Sequence, residues 1–142
     1  MKVQVRGLID TGAILALLDT DDSWHERCVE AFSSLKLPLA TTAAVLAELF
    51  HLLGEHPNNL NAAWKLLRSG AVCVLPITDA DSADLERLMK QYADRPMDFA
   101  DATLVHLAER ESLSVICTID HNDFETYRIE GKRKFSIFPA RS

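Results

Sequence analysis

The chain alternates between short apolar runs and longer stretches in which apolar residues return every three or four positions. The short runs, Val3 to Ile9, Leu37 to Ala40, Ala71 to Leu75, Ser114 to Ile119 and Phe135 to Phe138, predict strands. The stretches between them predict helices over Thr11 to Leu18, His25 to Leu35, Ala43 to Leu53, Asn58 to Leu67, a segment opened by Thr78-Asp79, and Asp98 to Glu111. Thr41-Thr42 suits a cap for the third helix, Gly54 and Pro57 a stop, and Pro96 a break before the last. The expected buried faces carry Cys28, Val29, Phe32 and Leu35 in the second helix. In the fifth they carry Ala80, Ala83, Leu85, Leu88 and Met89, and in the last Ala102, Val105, Leu107 and Ala108. Near-continuous apolar strands separated by helices indicate a three-layer α/β/α arrangement around a mainly parallel sheet covered on both faces. With no internal repeat, low-complexity tract or linker, the 142 residues are expected to form one domain over 1–142.

Composition narrows the class of protein. No apolar run reaches transmembrane length and no signal-peptide pattern precedes the first strand, so a cytoplasmic protein without a membrane association is expected. Cys28, Cys73 and Cys117 are odd in number, lack metal-ligand spacing and read as reduced thiols in or near the core. A formal charge of -6 argues against holding nucleic acid by bulk attraction. The local basic groups are Arg128, Lys132, Arg133 and Lys134 near the C-terminus, and Lys65 with Arg68. The first set offers phosphate contacts at the rim of a site, or a solvated loop.

The chemistry lies in the acids. Asp10 and Asp120 close predicted strands, Glu48 interrupts the apolar Ala43 to Leu53 helix, and Asp98 and Asp101 open a helix. Ionised carboxylates against apolar elements are costly unless paired, so several of them suggest convergence on a cation. In parallel α/β sheets ligands gather outside the carboxyl ends of strands, where Asp10 and Asp120 stand. Each acid has a plainer reading: Asp10 as a helix cap, Glu48 on a polar stripe with His51 and Glu55, Asp98 as a cap after Pro96, and Asp120 in an Asx turn. Asp98 is the better cap and Asp101 the better ligand. Such a set suits Mg2+ or Mn2+ better than zinc.

Taken in order, Ile9-Asp10-Thr11, then Thr41 to Glu48, then Asp98-Phe99-Ala100-Asp101-Ala102, then Thr118-Ile119-Asp120 ending at Phe124, the sequence resembles a PIN domain over nearly its whole length. The resemblance implies a VapC-type ribonuclease with Asp10, Glu48, Asp101 and Asp120 in the acidic site and Thr118 as its supporting hydroxyl. It also implies Mg2+- or Mn2+-dependent cleavage of RNA, a small antitoxin partner and a homodimer. In this reading Asp10, Asp101 and Asp120 hold metal, Glu48 holds metal or orients water, and Asp98 is a further possible ligand. Asp123 is expected to be peripheral.

Other features add less. Glu48-x-x-His51 has the spacing of di-metal bundles but occurs once, and His25, His106 and His121 are expected on solvated surfaces. No glycine-rich phosphate loop or nucleophile elbow is present. Trp24, Trp64, Phe32, Phe50 and Leu53 read as core residues, or as an exposed groove for a partner helix. The alternatives to an RNA-cutting enzyme are a metal nuclease acting on DNA and a non-catalytic module that uses the fold for protein binding.

Overall fold

Five three-residue strands form one sheet in the order β3-β2-β1-β4-β5, and every neighbouring pair is parallel. They are β1 (Gly7–Ile9), β2 (Leu39–Thr41), β3 (Val72–Val74), β4 (Val115–Cys117) and β5 (Ser136–Phe138), seen in a computed structural model that describes residues 4–141. Val3, assigned to the first strand from the sequence, lies outside the described residues. The helices are α1 (Thr11–Leu18), α2 (His25–Ser34), α3 (Ala43–Leu53), α4 (Pro57–Ser69), α5 (Ser82–Gln91), α6 (Phe99–Arg110) and α7 (His121–Thr126), with a 3-10 turn at Asp79–Asp81 leading into α5. The predicted three-layer α/β/α order holds, and the sheet is wholly rather than mainly parallel.

The three central strands are apolar because both of their faces are covered. Leu8, Ile9, Leu39, Ala40, Ile116 and Cys117 are all fully buried, whereas Val74 and Phe138 on the two edge strands are exposed. The strands are shorter than their apolar runs because helix caps begin at once where two of them end: Asp10 caps α1 and Thr42 caps α3. Pro57 does more than stop α3. It opens α4, where a residue without an N–H loses nothing, and Gly70 ends that helix in the left-handed conformation with φ 82°.

Helix α6 positions much of the site and packs against α3, α5 and β1. Every residue from Ala102 to Ala108 is buried, so the two-sided burial exceeds the single apolar face expected from the sequence. His106 is therefore not solvated. Its Nε2 lies 2.7 Å from Asp81 Oδ1, while the Thr78 amide donates to Asp81 Oδ2 at 2.8 Å and Arg110 approaches at 3.4 Å. These donors hold the Asp81 carboxyl down at about 2, the Thr78 amide contributing most.

His121 is also buried, donating to the Pro139 carbonyl at 2.8 Å, and His25, partly covered, donates to the Ala16 carbonyl at 2.7 Å. Trp64 departs from the core reading in the other direction: it is 51% exposed and stacks on Phe50 at 4.9 Å. Val29, Ala80, Ala83 and Met89 are likewise exposed. The three cysteines are free thiols, with Cys28 and Cys117 buried. Among the described residues no helix is long and apolar enough to cross a membrane.

Candidate active site

Strands β1 and β4 are neighbours, pairing Leu8 with Ile116 and Ile9 with Cys117. From this pair the sheet grows outward through β2 and β3 on one side and through β5 on the other, so the crevice at their carboxyl ends is the switch point of the topology. Asp10 and Asp120 flank it. A cavity of about 470 Å³ opens there, and Asp10, Glu48, Asp98, Asp101 and Asp120 all line it together with Gly12. The acids nominated from the sequence thus meet in one place.

Asp10 is the most enclosed of them at 7% exposure. Its Oδ1 accepts the Ala13 amide at 3.0 Å, which caps α1, and its Oδ2 accepts the Thr118 hydroxyl. Thr118 Oγ1 in turn accepts the Asp120 amide at 2.9 Å, so one hydroxyl ties the two strand ends together across 108 positions of sequence. Capping and site membership are therefore not exclusive at Asp10. A side chain on Gly12 would place its Cβ 3.2 Å from Ile119 Cγ1, so the start of α1 approaches the end of β4 closely because this position has none.

Asp98 caps α6, accepting the Asp101 amide at 2.7 Å, and remains exposed at the cavity wall. Asp101, one turn on, is partly covered and accepts the Tyr127 hydroxyl on Oδ2 at 3.0 Å. Glu48 projects from α3 into the same mouth and is exposed, as its polar-stripe reading also anticipates.

Two residues near the acids escaped the sequence reading as site members, and a third was misjudged. Tyr127 is fully buried between Tyr92 and Phe124, with its hydroxyl on Asp101. Arg95 pairs with Asp123 at 3.0 Å. Asp123 is not peripheral: oxygens of Asp101, Asp120 and Asp123 lie within 4.8 Å of one another, and the Asp123 amide donates to Asp120 Oδ1 at 3.2 Å. None of the C-terminal basic groups lines the acidic cavity. Arg128 spends its guanidinium on the carbonyls of Glu125, Thr126 and Tyr127, and Lys134 stands just before the amino end of β5, the edge of the sheet opposite the acids.

Crowding and burial act on the carboxyls in the same sense. Burial pushes Asp10 up from 3.8 to about 6, with the charges of Asp120 and Glu48 adding to it and the Thr118 and Ala13 hydrogen bonds opposing it. Asp101 is pushed up to about 8, first by burial and then by Asp98, with the Tyr127 hydroxyl opposing. Asp120 is raised too, by partial burial and then by Asp123. Acids arranged this way hold protons against their ordinary tendency, and a hard divalent cation, which takes carboxylate oxygens, is the partner that would release them.

A PIN-domain family model matches residues 7–130. Ribonuclease VapC26 of Mycobacterium tuberculosis is 30% identical over 135 residues, covering 93% of this chain and 99% of that protein. Among solved structures, Mycobacterium tuberculosis VapC20, described as a Sarcin-Ricin loop cleaving toxin, is similar with a TM-score of 0.68 at 24% identity, over 78% of this chain and 86% of that one. VapBC2 from Rickettsia felis, solved bound to a DNA fragment of its promoter, gives a TM-score of 0.64 at 12% identity, over 94% of this chain and 99% of that one.

Proposed function

The chain belongs to the PIN-domain family, and we propose that it is a Mg2+- or Mn2+-dependent endoribonuclease, the toxin of a toxin–antitoxin pair acting in the cytoplasm. The observation that carries this reading is the convergence of Asp10, Glu48, Asp101 and Asp120 on one cavity at the β1–β4 switch point. The similarity to a curated ribonuclease over nearly the full length of both chains supports the choice of RNA.

The donor set fits a hard cation: it is all carboxylate, it contains no thiol, and burial and neighbouring charge push the carboxyls of Asp10 and Asp101 above the ordinary carboxylate range, a cost that a bound cation would relieve. Asp10, Asp101 and Asp120 would hold the ion, with Asp98 available at the wall. Such an ion would supply a water of lowered pKa for attack on a phosphodiester and would offset charge on the phosphate oxygens. The protein's own groups do the rest. Thr118 fixes Asp10 and the Asp120 backbone relative to each other, Tyr127 fixes Asp101, and Glu48 at the open side orients the attacking water or completes the ligand set.

An antitoxin would seat an apolar helix face in the groove of about 380 Å³ lined by Leu17, Leu18, Val29, Phe32, Ala62 and Leu66 between α1, α2 and α4. The VapBC2 structure gives that partner its motivation. The working form is a homodimer. The reading is tested by adding Mg2+ or Mn2+ to the chelator-treated protein with single-stranded RNA and DNA oligomers, Asp10→Asn alongside. RNA cleavage that the variant abolishes is expected. Cleavage of DNA alone, or undiminished cleavage by the variant, overturns it.

A further inference from the structure

A second cavity, of about 560 Å³, lies against the acidic one and carries no charge. Its lining includes Ala43, Ala44, Val74, Leu75, Phe99 and Thr103. The two cavities are walled by the same two helix starts. The first two turns of α3 give Ala43 and Ala44 to the apolar side and Val45 and Glu48 to the acidic side. The cap and first turns of α6 give Phe99 and Thr103 to one, and Asp98, Ala100 and Asp101 to the other. Phe99 is thus set between two acid-site residues in sequence, yet it is 51% exposed and faces the uncharged groove. The hydroxyls nearby are committed internally, Thr103 donating to the Ala100 carbonyl at 2.6 Å and pairing with Thr42 at 2.8 Å. That floor offers shape and apolar contact rather than a side-chain hydroxyl free to read a base edge.

Electrostatics leave a gap that this groove fills. The chain carries a net charge of -6, and the cation beside the acids, Arg95, is already paired with Asp123. Attraction of phosphate by the chain's own side chains therefore contributes little to holding RNA at the mouth, and an aromatic face is a group there that binds a nucleotide without needing charge. We propose that this groove is a nucleobase subsite: an unpaired base next to the scissile phosphodiester stacks on Phe99 while its phosphate lies over the acids. The inference rests on the ribonuclease reading above and adds to it a stacked, base-tolerant contact to one nucleotide beside the cleaved bond.

The test uses short single-stranded RNA oligomers carrying 2-aminopurine, whose fluorescence is quenched on stacking, or an abasic site, at successive positions. Wild type, Phe99→Ala and Phe99→Trp are compared for quenching, affinity and cleavage, and their oligomeric state is followed by sedimentation. Wild type and Phe99→Trp are expected to quench the probe at one position and to discriminate against an abasic site there. Phe99→Ala should lose the quench and the discrimination and bind the intact oligomer about tenfold to a hundredfold more weakly. The loss should fall on KM with kcat retained. Equal binding by wild type and Phe99→Ala would overturn the subsite while leaving the ribonuclease reading intact. Loss of dimer in Phe99→Ala, with intact and abasic oligomers affected alike, would overturn it in favour of an interface between two copies. A wild type that neither binds nor cleaves RNA would remove both.

Discussion

Replacing Asp10 by Asn tests whether its buried carboxylate is a cost that the fold carries for the sake of the site. In the folded protein the Asp10 carboxyl is held at about 6 against an ordinary 3.8. Between those values the folded chain binds a proton that the unfolded chain has released, so acidification stabilises the fold and stability falls as pH rises through the window. Above about pH 6 the full cost is present, about 3 kcal/mol at the conversion of ~1.4 kcal/mol per pKa unit. Near pH 4.5 about a third of it remains.

Asn removes the charge and keeps the shape. Its Oδ1 still accepts the Ala13 amide, and the Thr118 hydroxyl can rotate to accept from the new amide nitrogen. Asp101, itself raised in part by Asp10, is relieved in the same direction. Allowing for an imperfect amide fit, the chelated variant should exceed wild type by about 1–2 kcal/mol near pH 8, a rise in Tm of roughly 3–8 °C for a chain of this size. That advantage should shrink by about 2 kcal/mol near pH 4.5. The Asp81 carboxyl, at about 2, stays ionised throughout and does not enter the comparison. Thermal unfolding in chelator at the two pH values measures it. A variant less stable than wild type near pH 8, or a difference that ignores pH, would refute the reasoning.

Three further outcomes are expected. Calorimetric titration of Mg2+ or Mn2+ near pH 7 should show proton release, because ligation must drive the proton from Asp101, held up at about 8, while Asp10, at about 6, is already largely ionised there, and the apparent affinity should rise with pH; heats independent of buffer ionisation would contradict this. Tyr127→Phe removes the hydrogen bond that favours ionised Asp101, so the acid limb of the pH–rate profile should move to higher pH and activity near neutrality should fall several-fold, with near-native circular dichroism; an unmoved limb would show that the hydroxyl does not position Asp101. Asp81→Ala strands the buried His106 Nε2 and unmakes the cap at Thr78, while Arg110 keeps Glu111 and the Pro76 carbonyl, and should cost about 2–3 kcal/mol in urea unfolding while leaving metal affinity unchanged.

Strand ends and helix starts were legible because local chemistry marks them. Asp10 and Asp120 follow apolar runs that only a doubly covered strand requires, and Asp98 and Asp101 declare a shared face by their spacing. Asp123 stands in the same three-residue relation to Asp120, so a short helix there was available as a signal; the Asx-turn reading of Asp120 hid it. Tyr127 had no local sign, since its partner Asp101 is 26 positions away and only the tertiary fold brings the end of α7 to the first turn of α6. The surface reading of His106 failed because a histidine amid Ala102 to Ala108 is indistinguishable from a polar stripe until Asp81 is brought to meet it. Trp64 failed oppositely, lying on α4, which buries only Ala63 fully.

The pairing of β1 with β4 also has a meaning in time. A ribosome delivers Asp10 early and Thr118 and Asp120 late, and the acid site has only part of its carboxylates until β4 has slid in beside β1 and Thr118 has reached Asp10. Contacts of such separation form after local helices, when most of the chain has emerged. A polypeptide wired this way carries an incomplete acid site through much of its own synthesis, until β4 and the residues that follow it have emerged.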